Sequence, residues 1–169
     1  MNALMPRPIQ LCLVLLAAAL VSGCSAFNNE EQVAFENAAF LLQPNGYTRV
    51  SELAVVGQAD PDDWRTGPAF VGRASVLTPP YPNAAPRDAT VRLLIDTNGV
   101  PGGLAVYTVN ARGDLILLDE RPDATDTGFY ELAFFASQAT AGGGDGLYRL
   151  VVLDGRQRVV TYGDLLVEE

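Results

Sequence analysis

Three aspartates crowd the stretch Asp60-Pro61-Asp62-Asp63-Trp64. Carboxylates at that density can supply oxygen ligands to calcium, a hard cation that takes about six to eight of them. The spacing has neither the glycine turn nor the distal bidentate glutamate of an EF-hand loop, so a solvated acidic linker is the preferred reading. Asp123, Asp126 and Asp145 read the same way. Arg112-Gly113-Asp114 matches the tripeptide that integrins read, but Gly supplies positive φ and Asp favours turns, so it is expected as a hairpin turn. The glycine-rich run Gly142–Gly146 lacks the Gly-Lys-Ser/Thr ending of a phosphate loop and is expected as a flexible loop. Trp64, with Tyr81, Tyr107 and Tyr162, can form a carbohydrate-stacking surface; the alternative is core packing, preferred for Tyr130 and Tyr148. Trp64 is therefore the one candidate ligand contact. No residue is assigned a catalytic, cofactor-binding or metal-ligating role.

Composition narrows the chemistry further. There is no histidine, which removes the commonest general base and the commonest transition-metal ligand. The serines Ser22, Ser25, Ser51, Ser75 and Ser137 therefore have no partner for a Ser-His-Asp triad. All 11 basic residues are arginine, so a Schiff-base or P-loop lysine is excluded. A glycosidase carboxylate pair is compatible with composition, but no distinctive spacing marks one. The net charge of −9 repels phosphate backbones and argues against nucleic acid as a partner. Cys12 and Cys24 are the only thiols.

The second of those thiols sits in a particular place. An apolar run from Leu11 to Val21 follows the basic Arg7. It is too short to span a bilayer, which takes about 20 apolar residues, and has the length of a signal-peptide core. It ends in Val21-Ser22-Gly23-Cys24. An aliphatic residue, two small residues and a cysteine resemble the lipobox of bacterial lipoproteins. The resemblance implies cleavage between Gly23 and Cys24 and lipid on the Cys24 thiol. It places Ser25 next, where an Asp would imply retention at the inner membrane, so the expected location is the cell envelope, at the outer membrane where the cell has one. Each buried methylene of such a lipid contributes roughly 0.8 kcal/mol, and several chains together anchor stably.

Behind the anchor, residues 24–69 read as a lipidated tether and irregular lead-in. Asn29 can cap a short helix running through Glu30, Glu31, Val33, Phe35 and Phe40. Pro44-Asn45-Gly46 then breaks the chain. From residue 70 to 169 short apolar segments alternate with Gly, Pro, Asn and Asp. Strands are predicted over residues 70–77, 90–96, 104–110, 115–119, 129–135, 147–153 and 159–167. Val91, Leu93 and Ile95 fall on one face, as do Leu132 and Phe134 and again Leu150 and Val152. About seven short strands with frequent turns predict an all-β, immunoglobulin-like antiparallel β-sandwich.

That module also resembles the C-terminal sorting-type β-sandwiches of type IX secretion in Bacteroidetes-like bacteria. The matching pieces are Pro80-Tyr81-Pro82-Asn83, Leu104-Ala105-Val106-Tyr107 through Gly113, Gly128-Phe129-Tyr130 and Gly146-Leu147-Tyr148-Arg149, with a final strand over 159–167. Ala84 stands where that pattern has a second proline. The resemblance covers roughly the last 95 residues and implies a fold, with no catalytic residue to carry over. The resulting expectation is a non-enzymatic, membrane-anchored envelope lipoprotein whose sandwich meets a protein partner. Binding of a polysaccharide through Trp64 is the alternative.

Overall fold

The computed structural model describes residues 30–41, 44–51 and 53–169. The lipobox, the cleavage site at Gly23 and Cys24, and the Asn29 cap lie outside the described residues. Helix α1 covers residues 30–39. Two short strands follow, β1 (Val50–Ser51) and β2 (Ala54–Val55), then a 3-10 turn over Pro68–Phe70. The remaining elements are β3 (Ala74–Tyr81), β4 (Ala85–Pro86), β5 (Thr90–Asn98), β6 (Leu104–Val109), β7 (Leu115–Arg121), β8 (Thr127–Phe135), α2 (Ala136–Ala139), β9 (Gly146–Asp154) and β10 (Val159–Glu168).

The seven long strands make an all-β sandwich. One sheet has the order β3-β5-β8 and the other β4-β10-β9-β6-β7. Every pairing among the long strands is antiparallel, while the short β4 joins β10 in parallel. First, second and fifth long strands on one sheet, and the rest on the other, is immunoglobulin-like connectivity. Alternation explains the core. Val91, Leu93 and Ile95 of β5, Leu132 and Phe134 of β8, and Leu150 and Val152 of β9 all point between the sheets. Each buried large side chain contributes about 1.5–3 kcal/mol of hydrophobic stabilisation.

The first long strand differs most from the sequence reading, 74–81 in place of 70–77. Pro68 opens a 3-10 turn that ends at Phe70, and Gly72, with φ +76°, turns the chain before β3 starts. Pro79 and Pro80 sit inside β3 without harm because β3 is an edge strand, where a missing N–H breaks no ladder.

The lead-in is a second departure. A tether is expected there, yet α1, Thr48, Val50 and the Asp63-Trp64 pair are held against the sandwich. Phe35 and Ala39, four residues apart on α1, are buried with Val151, Leu153, Val159 and Tyr162 on the outer face of the larger sheet. The Phe35 and Tyr162 rings pack with centroids 4.8 Å apart. Gln32 ties the helix down, donating from Nε2 to the Val159 carbonyl at 3.0 Å and accepting from the Ala69 N–H at 2.9 Å. Strand β9 therefore has apolar residues buried on both faces, which is why Leu150-Val151-Val152-Leu153 is a continuous apolar run. The module does not begin at residue 70, since Trp64 belongs to the same core as Phe70.

Candidate functional site

Trp64 is not a surface platform. Only 6% of it is exposed, and a Cβ on Gly163 would lie 2.3 Å from its Cε2. The indole thus lies flat on the bare backbone of β10. The Trp64 backbone N–H donates to the Tyr162 carbonyl at 2.7 Å, and the Gly67 N–H donates to the Val160 carbonyl at 2.7 Å. The expectation of a sugar contact at Trp64 is corrected accordingly: the ring closes the sandwich edge and has no face to offer. Tyr162 is buried too, under α1. Tyr130 and Tyr148 pack against the core with half-buried rings, and their hydroxyls donate to the Asp123 and Gly144 carbonyls.

The acidic stretch is not a solvated linker either. Asp63 accepts from the Thr48 N–H at 2.6 Å and from the Asp164 N–H at 2.9 Å. Asp60 accepts from the Asp62 N–H at 2.9 Å. Asp62 remains exposed, 3.5 Å from Arg65. Among the described residues no cluster of three or more His, Cys, Asp or Glu side chains is placed to hold a metal ion.

What these residues build is a polar seam along β10. Asp164 is buried and accepts from Nε and Nη2 of Arg149, directly across the β9–β10 pair. It also accepts from the Asn45 N–H at 3.2 Å. Arg149 donates its third direction to the Ala38 carbonyl at the end of α1, 3.0 Å away, and stacks over the Tyr162 ring. Asn83, fully buried, donates to the Thr48 and Asp164 carbonyls and accepts from the Leu166 N–H. One asparagine thus joins the lead-in to the last strand. Burial pushes the Asp63 carboxyl up to about 6, with the Asp164 carboxylate adding to the effect and the Thr48 N–H opposing it. Burial also raises Asp164, against the pull of Arg149.

Beside the seam, at the end of the larger sheet, lies a cleft of about 510 Å³. Its apolar walls are Leu41, Pro44, Val109 and Leu147, with Tyr148 beside them and Arg149 at the base. Arg112 stands at its rim, on the β6–β7 turn. That turn is the hairpin the sequence predicts. Gly113 has φ +85°, and the Asn110 side chain accepts from the Arg112 and Asp114 N–H groups. The opposite lip, Thr140 to Gly143, is pinned: Arg87 donates to the Gly143 carbonyl and pairs with Asp145 at 3.3 Å. A Cβ on Gly143 would come within 2.7 Å of the Tyr148 hydroxyl, so glycine is needed for the loop to lie that close. Neither this cleft nor the seam follows from sequence spacing, because their residues come from parts of the chain more than 60 positions apart.

The free edge of the larger sheet is β7. Leu115, Ile116 and Leu117 are all exposed there, three consecutive apolar residues on one edge strand. Asp119 and Arg121 close its other half, and Asp119 accepts from the Ala133 N–H on β8.

No helix among the described residues is long and apolar enough to cross a membrane. No protein-family model and no curated protein sequence matches the chain. Among solved structures, a Niemann-Pick type C2 protein from the Japanese carpenter ant is similar at a TM-score of 0.29 and 8% identity, over 48% of this chain and 75% of that one.

Proposed function

We propose that the chain is a non-enzymatic lipoprotein of the cell envelope, cleaved between Gly23 and Cys24 and held on a membrane by lipid on Cys24. The outer membrane is the proposed location in a cell that has one. Its sandwich is the interaction module, and its partner is another protein of the envelope. The observation that carries the reading is Val21-Ser22-Gly23-Cys24 closing an apolar run. Its closeness to the folded body adds to it. Helix α1 starts at residue 30, so five residues, or six Cα-to-Cα steps, separate it from Cys24. Fully extended, they reach about 20 Å. The module would then sit against the membrane surface rather than stand off it.

The β7 edge is the partner surface this reading favours. An edge strand presents unpaired N–H and C=O groups as a template for another chain, and strand addition is a common mode of recognition. Strand β10, the last long strand toward the other end of the same sheet, is buried on both faces and has its outer edge covered by β4, Trp64 and Gly67. The polysaccharide alternative loses its named contact with the burial of Trp64.

Two experiments test the proposal. Cells fed an alkyne-bearing fatty acid should incorporate it into the wild-type chain and not into Cys24→Ser, and the variant should leave the membrane fraction. Label retained on Cys24→Ser removes the anchor. In-cell cross-linking should then recover a reproducible protein partner that Leu117→Lys loses while its melting temperature stays unchanged. A partner retained by Leu117→Lys removes β7 as the contact.

A further inference from the structure

The chain carries 20 acidic residues against 11 arginines, yet among the described residues the cleft at the end of the larger sheet is lined by Arg112 and Arg149 and by no carboxylate. The two arginines differ in what they have left to offer. The guanidinium of Arg149 is buried and committed to Asp164 and the Ala38 carbonyl, and the Asp164 carboxylate balances its charge. Arg112 is exposed on its turn and has no ion-pair partner among the described residues. Its neighbour Asp114 is engaged by the Asn110 amide at 3.0 Å. The cleft therefore offers one guanidinium free of ion pairs at its rim, above walls of Leu41, Pro44, Val109 and Leu147. At about 510 Å³ it falls in the range that takes a small organic molecule, about 300–1,000 Å³.

We propose that this cleft binds a small amphipathic monocarboxylate, with the carboxylate on Arg112 and the apolar chain laid between Leu41 and Pro44 on one side and Val109 and Leu147 on the other. The charge count selects the headgroup. A single available guanidinium balances one negative charge, and its planar fork matches a carboxylate two bonds at a time. A phosphate dianion would leave charge unmatched beside an acidic protein surface. The wall selects the body, because a fully polar ligand would desolvate against leucine, valine and proline without return. The Arg87 contacts hold the lip from Thr140 to Gly143 in place, so that lip needs little ordering on binding. The inference is independent of the lipid anchor.

The test is titration of the mature chain, as Cys24→Ser, with decanoate below its micellar concentration. Calorimetry gives the affinity, and the methyl resonances of Val109 and Leu147 give the place. Decanoate should bind and shift both methyls. Arg112→Gln should weaken binding roughly tenfold, the worth of one charge-assisted hydrogen-bonded contact. Arg156→Gln removes the same charge from an exposed turn at a distance from the cleft lining and should leave the affinity unchanged. Ala111→Trp, which fills the cleft from an exposed turn position, should abolish binding with an unaltered melting temperature. Absence of decanoate binding at millimolar concentration overturns the proposal. So does decanol binding as tightly as decanoate, or Arg112→Gln weakening no more than Arg156→Gln.

Discussion

The two ends of the larger sheet face the same physical problem and resolve it differently. At β10 the open row of N–H and C=O groups is covered. Trp64 and Gly67 donate to the Tyr162 and Val160 carbonyls, Asn83 bridges to Asp164 and Leu166, and β4 pairs with Val167 and Glu168. At β7 charges guard only the second half of the strand, and Leu115, Ile116 and Leu117 remain exposed. A strand edge is a hazard that folded proteins manage by pairing, covering or charging it. The covered end therefore belongs to stability, and the open end is where a partner strand has room.

The largest effect should come from breaking the covered end at its aromatic seal. Trp64→Ala should cost about 3–5 kcal/mol, from lost burial and the cavity left over β10, read as a fall in denaturation midpoint. Gly163→Ala tests the same contact from below by forcing a methyl into the indole, and overpacking of this kind costs about 1–3 kcal/mol. If both variants melt like wild type, the seal is not part of the fold.

Asn83→Leu comes next. It strips the Thr48 and Asp164 carbonyls and the Leu166 N–H of one shared partner. Leaving buried polar groups unsatisfied costs about 1–3 kcal/mol. Hydrogen exchange should show the loss first at residues 48–50 and 164–166, and uniform exchange would show that the asparagine does not join the two segments.

A smaller effect should follow pH. The folded Asp63 carboxyl titrates near 6, above its ordinary 3.8. The folded state then holds a proton more readily than the unfolded one. The stabilisation from Asp63 is full below the unfolded value and is lost as pH rises through about 6. With its partial solvent contact allowed for, the difference between pH 5 and pH 7.5 is on the order of 1–2 kcal/mol. Thermal melts should therefore be higher at pH 5, and Asp63→Asn should flatten that slope. A wild-type protein more stable at pH 7.5 would contradict the assignment. At the open end, by contrast, Ile116→Lys should change stability by less than about 0.5 kcal/mol, as exposed substitutions do. A marked fall in its melting temperature would show that β7 is supported by contacts of its own.

The sandwich was legible because its signal is local. Val91, Leu93 and Ile95 on alternate positions mark a half-buried strand whatever lies opposite, and Asn110 to Asp114 announces its turn through Gly113. All seven long strands fall near their expected places, with β3 displaced because Gly72 and the 3-10 turn at Pro68 delay its start. The lead-in was misread for the complementary reason. Its apolar residues are few and loosely spaced, and acidic residues with proline look like linker when nothing shows what they touch.

By itself the sequence determined the alternation that makes the strands, the turns between them, the excess of acid and the lack of histidine and lysine. Each of these is a property of neighbouring residues or of simple counts. Only the tertiary structure decided that Trp64 covers Gly163, that Asp63 and Asn83 bond to β10, and that Arg112 stands at the rim of the cleft whose base holds Arg149. Those contacts join residues that are distant along the chain, and the energy of desolvating a tryptophan, an aspartate or an arginine depends on what the fold places around it.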